Sequence, residues 1–177
     1  MPKELREEDK RHPGTIQMHS TGMPKLVWMY SFRHFRTSLP CHLTILFHKE
    51  INGIGGHPAF NVPLEEGLSF EDFYLAFSPL KSRLRLPLKG PFIDMEQKTL
   101  GQTNTNLALN RELFDQDALV FETRGLNAYA IRSEKSYHSI TLSYKDMPYV
   151  GIWSQYPKEA PFVCIEPWCG IADTVNS

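Results

Sequence analysis

From Leu43 onward the chain shows apolar runs of strand length only, and each one is closed by turn-forming residues. The runs are 43–47, 73–77, 83–88, 107–109, 118–121, 128–131, 139–144, 149–153 and 162–166. Asn52-Gly53, Lys89-Gly90-Pro91, Asp146-Met147-Pro148 and Pro157-Lys158-Glu159 carry the turn chemistry between them. Ser69 and Asp72 have the spacing of a capping box around one short helical turn. Strands this regular, without long helices between them, predict an all-β protein of antiparallel sheets packed face to face. The 13 prolines and 12% aromatic content agree with strands and turns, not a helical bundle. At 177 residues the chain can bury one real core.

Residues 1–42 read differently, as a divergent or poorly ordered segment ahead of a sandwich portion at 43–177. Eight of the nine residues from Lys3 to Arg11 are charged with mixed sign, which suits a solvated helix or a disordered arm. His12-Pro13-Gly14 then breaks any helix, and no convincing period runs from Thr15 to Pro40. Arg33, His34 and Arg36 interleave with Tyr30, Phe32 and Phe35, a pattern that can mark single-strand binding. That stretch is short, and a net charge of -1 gives no electrostatic reason for a nucleic-acid or anionic-membrane partner. No apolar run nears the roughly 18 residues of a membrane span, and the first residues lack a signal peptide's apolar core. Three cysteines (Cys41, Cys164 and Cys169) argue against a disulfide framework and for a reducing cytoplasm.

Three segments can carry chemistry. In the first, Gly55-Gly56-His57-Pro58, the glycines allow a tight backbone approach and the proline fixes the chain after the histidine. His57 is either a ring held at a set angle to a cleft or an incidental residue of a surface turn. No Lys-Ser/Thr follows the glycines, so a nucleotide phosphate loop is not supported. In the second, a strand at 162–166 puts Phe162, Cys164 and Glu166 on one face. Glu166 is either a desolvated general base with a raised pKa or a strand-end residue in water. Cys164 and Cys169 find no further cysteine or His cluster to complete four ligands, so no metal site is expected. In the third, Asp115 and Asp117 precede an apolar strand, as turn formers or as acceptors for sugar hydroxyls. Trp153 and Trp168 suit a sugar-stacking surface or a sandwich core equally. No Gly-x-Ser-x-Gly elbow is present, and His34, His42, His48 and His138 have no ligand spacing.

Taken together, 55–64, 113–121 and 151–173 resemble the aldose 1-epimerase (mutarotase) superfamily, in its LacX-like branch. The resemblance covers about residues 53–177. It implies an antiparallel β-supersandwich with a sugar cleft, here incomplete and matching the family's C-terminal part. It also implies cofactor-free interconversion of the α and β anomers of a hexose. On this resemblance Glu166 is the general base and His57 the general acid, with Asp117, Asp115, Asn61 and Trp168 binding substrate. The implied partner is a galactose- or glucose-type hexose, with or without phosphate. The family's sugar-binding arginine and earlier histidine have no match in residues 1–50. That leaves two further readings, a non-catalytic carbohydrate-binding remnant and a fragment unable to fold. An incomplete sandwich also leaves open sheet edges that favour self-association.

Overall fold

A computed structural model describes residues 14–20, 31–32 and 42–45, as backbone, and residues 55–175. The charged run 3–11, the residues Arg33, His34 and Arg36, and the Asn52-Gly53 turn lie outside the described residues. Fifteen strands run through what is described: β1 Gly14–Ser20, β2 Ser31–Phe32, β3 His42–Ile45, β4 Ala59–Asn61, β5 Tyr74–Ser78, β6 Arg83–Leu86, β7 Leu88–Lys89, β8 Phe92–Ile93, β9 Thr99–Gly101, β10 Leu107–Ala108, β11 Leu119–Glu122, β12 Leu126–Ser133, β13 Ser136–Lys145, β14 Tyr149–Trp153 and β15 Phe162–Trp168. The helical content is two short 3-10 turns, Phe70–Asp72 and Arg111–Phe114. The first is closed by the capping contact expected of Ser69 and Asp72, the Ser69 amide donating to the Asp72 carboxylate at 2.9 Å.

One sheet has the order β10-β5-β12-β13-β1-β3 and the other β2-β4-β15-β14-β11-β6-β9, and β7 and β8 form a separate ribbon. The all-β, antiparallel expectation holds from β4 onward. The exceptions involve the first three strands: β1 pairs parallel with β13 and β3, and β2 pairs parallel with β4. The aperiodic stretch from Thr15 thus contains a strand, β1, although only Ile16 and Met18 there alternate with polar residues. The expected strand at 83–88 is split at Pro87, which has no amide hydrogen to donate to a ladder. Gly90, at φ +60°, turns the chain between β7 and β8, a conformation that suits glycine.

Alternation along the strands builds the core between the two sheets. β5 turns Leu75 and Phe77 inward, and β12 and β13 add Tyr129, Ile131, Leu142 and Tyr144. The facing sheet contributes Phe60, Leu119, Phe121, Val150, Ile152, Val163 and Ile165. β15 departs from the half-buried pattern, because its residues from Val163 to Pro167 are all buried. On the sheet's other face Leu86 and Val120 form a smaller apolar cluster with Ile93, and Leu88, Trp168 and Ile171 pack against it as a roof. The chain after β15 secures that roof: the Ile93 amide donates to the Asp173 carbonyl at 2.9 Å, and the Val175 amide to the Ile93 carbonyl at 3.0 Å. No helix among the described residues is long and apolar enough to cross a membrane.

Candidate active site

Strand register assembles the site. β15 and β4 pair antiparallel with Cys164 opposite Ala59 and Phe162 opposite Asn61. The alignment continues past the end of β4, where Gly55 bridges to Trp168. The Gly56 amide donates to the Pro167 carbonyl at 3.0 Å, and the Ile165 amide to the Pro58 carbonyl at 3.3 Å. These bonds bracket His57 on both sides and hold it directly across from Glu166. His57 Nε2 lies 3.2 Å from Glu166 Oε1. The Gly-Gly-His-Pro segment therefore runs alongside β15 and is not a free surface turn, and its histidine is held beside Glu166.

Glu166 is 5% exposed, so the reading of a strand-end glutamate in water does not hold. Burial, and next the negative charge of Asp117, push its carboxyl up to about 8. The Cys164 thiol and the Trp168 indole N–H pull the other way as hydrogen-bond donors to the carboxylate. The glutamate stays buried because it lies in the middle of the strand row, with Gly151 of β14 opposite on its other side. Gly151 and Gly55 also make room for the Trp168 indole. A Cβ on Gly55 would come within 2.1 Å of Trp168 Cδ1, and one on Gly151 within 2.5 Å of Trp168 Cη2. His57 stands edge-on to Trp153, with ring centroids 6.1 Å apart, and Trp153 in turn meets Phe162 at 5.9 Å. Both tryptophans thus lie on the outer face of the sheet and not in the main core.

The other expected residues divide. Asp117 is exposed, adopts φ +71°, and is close enough to repel the charge of Glu166. Asp115 caps the turn Arg111–Phe114 and is exposed. It is not among the groups that shift Glu166. Asn61 is exposed on the same face as His57, but four residues along the strand, about 13 Å away. The Phe162 position lies beside it. The sequence places Cys164 on one strand face with Glu166 but gives it no partner there, only an incomplete pairing with Cys169. In the fold its sulfur joins His57 and Glu166, and the donor atoms of the three all lie within 4.8 Å of one another. The period-2 spacing of Cys164 and Glu166 was the available signal for this.

No family model matches the chain. Two curated relatives from Lactococcus lactis subsp. lactis, protein LacX of the plasmid and protein LacX of the chromosome, are each 33% identical over 127 residues. That alignment covers 70% of this chain and 42% of each relative. A solved galactose mutarotase related enzyme from Lactobacillus acidophilus is 43% identical with a TM-score of 0.67, covering 71% of this chain and 42% of that one. Over the matched residues, this chain is a member of the galactose mutarotase-like superfamily. A second superfamily structure, a galactose mutarotase-like protein from Lactobacillus casei ATCC 334, is 32% identical with a TM-score of 0.55. It covers 71% of this chain and 44% of its own. The chain spans less than half the length of the superfamily relatives it matches.

Proposed function

We propose that this chain interconverts the α and β anomers of a hexose, with Glu166 as general base and His57 as general acid. The observation that carries the proposal is the opposed pair: a buried carboxylate and an imidazole 3.2 Å apart across adjacent strands. A cyclic hexose is a hemiacetal whose C1 hydroxyl and ring oxygen are bonded to the same carbon. Opening it requires one proton to leave the hydroxyl and one to reach the ring oxygen. Glu166 takes the first and protonated His57 gives the second, as the C1–ring oxygen bond breaks. C1–C2 rotation turns the aldehyde over, and reclosure reverses both transfers. A base whose pKa lies near the working pH combines a useful ionised fraction with a real pull on the proton, and about 8 meets that condition. The full cycle returns Glu166 and His57 to their starting protonation states, and nothing in it is oxidised or reduced. Trp153 and Trp168 offer apolar planes to the sugar's C–H faces, and Asp117 accepts from a hydroxyl at the rim. A galactose- or glucose-type hexose in the cytoplasm is the proposed substrate.

The competing reading is a chain that binds sugar without turning it over. Polarimetry on freshly dissolved α-glucose and α-galactose separates the two. Acceleration over buffer that falls to background in both Glu166→Gln and His57→Asn is the expected result. Tryptophan fluorescence that responds to sugar, with no acceleration by the unsubstituted protein, would establish binding alone. Acceleration that survives Glu166→Gln would reject the assigned base.

A further inference from the structure

We propose that His57, Cys164 and Glu166 form a three-ligand site for Zn2+, whose occupation is incompatible with acid–base use of the same histidine and glutamate. This departs from the absence of a metal site expected from the spacing of Cys164 and Cys169. Four observations carry it. The first is distance. Zinc bonds of about 2.3 Å to sulfur and 2.0–2.2 Å to nitrogen and oxygen set tetrahedral donors about 3.3–3.6 Å apart. The His57–Glu166 separation is already 3.2 Å, and no pair in the trio exceeds 4.8 Å. Rotation about side-chain bonds closes the remainder.

The second is donor type. One thiol, one imidazole and one carboxylate are the mixed soft and borderline set that zinc takes in preference to magnesium or calcium. The third is placement. Cys164 and Glu166 alternate on one face of β15, and His57, just ahead of β4, is clamped across from them by backbone hydrogen bonds, so two ligands sit on a strand and the third is held against it. The fourth is charge. Among the described residues no lysine or arginine pairs with Glu166, while Asp117 adds a negative charge nearby. The half-exposed His57 side of the site leaves a fourth coordination position open to water.

Binding replaces the Cys164 S–H bond with an S–Zn bond, and the thiol proton goes to solvent. The carboxyl proton, where present, follows it. His57 then holds the metal through the nitrogen that would have served the sugar.

Co2+ is the spectroscopic stand-in for Zn2+. Added to the reduced 177-residue chain, it should give one equivalent of a thiolate-to-cobalt charge-transfer band in the near ultraviolet, and Zn2+ should displace that band. The band should persist when Cys41 and Cys169 are both replaced by Ser, and vanish in Cys164→Ser. His57→Asn removes a direct ligand on a loop edge with little risk to folding. It should weaken Zn2+ binding by at least the roughly 10- to 100-fold typical of losing even a supporting group. Near-ultraviolet circular dichroism checks that each variant is folded. No stoichiometric band, a band that outlasts Cys164→Ser, or one lost with Cys41 and Cys169 would overturn the proposal. None of these readings depends on sugar turnover, so they stand or fall separately from the anomerase assignment.

Discussion

Two charged side chains are buried on opposite faces of the same sheet, and their surroundings treat them in opposite ways. Arg83 points into the space between the sheets at 3% exposure, and Glu166 points outward at 5%. The Arg83 guanidinium donates to the carbonyls of Lys81 and Pro79, to Thr103 Oγ1 and to Asn127 Oδ1, at 3.0–3.2 Å. It also lies 5.4 Å from the Tyr129 ring centroid and 5.8 Å from that of Phe77. Among the described residues no carboxylate pairs with it. Its charge is spread over neutral dipoles and aromatic faces, none of which can exchange a proton at ordinary pH. Glu166 has instead one titratable imidazole, one thiol, the Trp168 indole N–H and a like charge from Asp117. Four hydrogen bonds to neutral partners hold the Arg83 charge in place even though its Nε is left unpaired, whereas Glu166 sits among groups that can themselves give or take a proton.

The sharpest way to break this comparison is to remove each charge and see what is lost. Glu166→Gln should cost about 10²- to 10⁴-fold in sugar anomerisation, the usual share of a general base, while leaving the fold intact. Arg83→Ala should do the reverse. It strands Asn127 Oδ1 and the Pro79 carbonyl without a donor, while the Lys81 carbonyl keeps its bond from Thr103 Oγ1 at 2.6 Å, and unpaired buried groups cost about 1–3 kcal/mol each. A drop in urea stability of about 2–5 kcal/mol is expected. That is a large part of what a domain of this size commands. An Arg83→Ala protein within 1 kcal/mol of the original would show that the Arg83 network is not structural.

How far each site could be read from sequence follows from the same contrast. His57 and Glu166 could be singled out as candidates because their settings are local, Gly-Gly-His-Pro on one side and alternating Phe-x-Cys-x-Glu on the other, while the choice between a functional and a bland reading rested on the resemblance. Arg83 could not be, since an arginine in Arg-Leu-Arg-Leu reads as the solvent side of an alternating strand. Its burial depends on Thr103 and Asn127, far away in the chain. The grouping of Cys164 with His57 depends on the register between β15 and the end of β4, which no spacing within one segment reveals. β4 and β9 were missed because each has three residues, too few to show a period. The expected strand at 139–144 falls short of β13, Ser136–Lys145, since the polar residues at its ends do not extend an apolar run.

A smaller effect appears in stability against pH. In the unfolded chain Glu166 should lose its proton near the ordinary 4.5, whereas burial lets the native state keep it to about 8. Between those values the native state binds more protons, so the Glu166 contribution to stability falls as pH rises. The slope is at most about 1.4 kcal/mol per pH unit, and the contribution levels off above about 8. Gln at this position cannot titrate, so urea midpoints of Glu166→Gln should fall less steeply from pH 5 to 8. Parallel curves for the two proteins would mean that Glu166 ionises in the fold as it does in water.

The smallest effect isolates the role of Asp117. Its charge is the second cause, after burial, of the raised pKa of Glu166. Asparagine keeps the size of the side chain and tolerates the left-handed backbone that Asp117 adopts at φ +71°. Asp117→Asn should therefore leave stability nearly unchanged and move the Glu166 titration downward, by less than burial moves it upward. Asp115→Asn, at the exposed end of the preceding turn, should leave that titration in place. Carboxyl 13C resonances of glutamate-labelled protein, assigned through Glu166→Gln, read both. A shift of equal size in the two variants would mean that the repulsion is diffuse surface charge. A shift confined to Asp117→Asn would make that residue the group that tunes the base, and the rim of the site would then set its working pH.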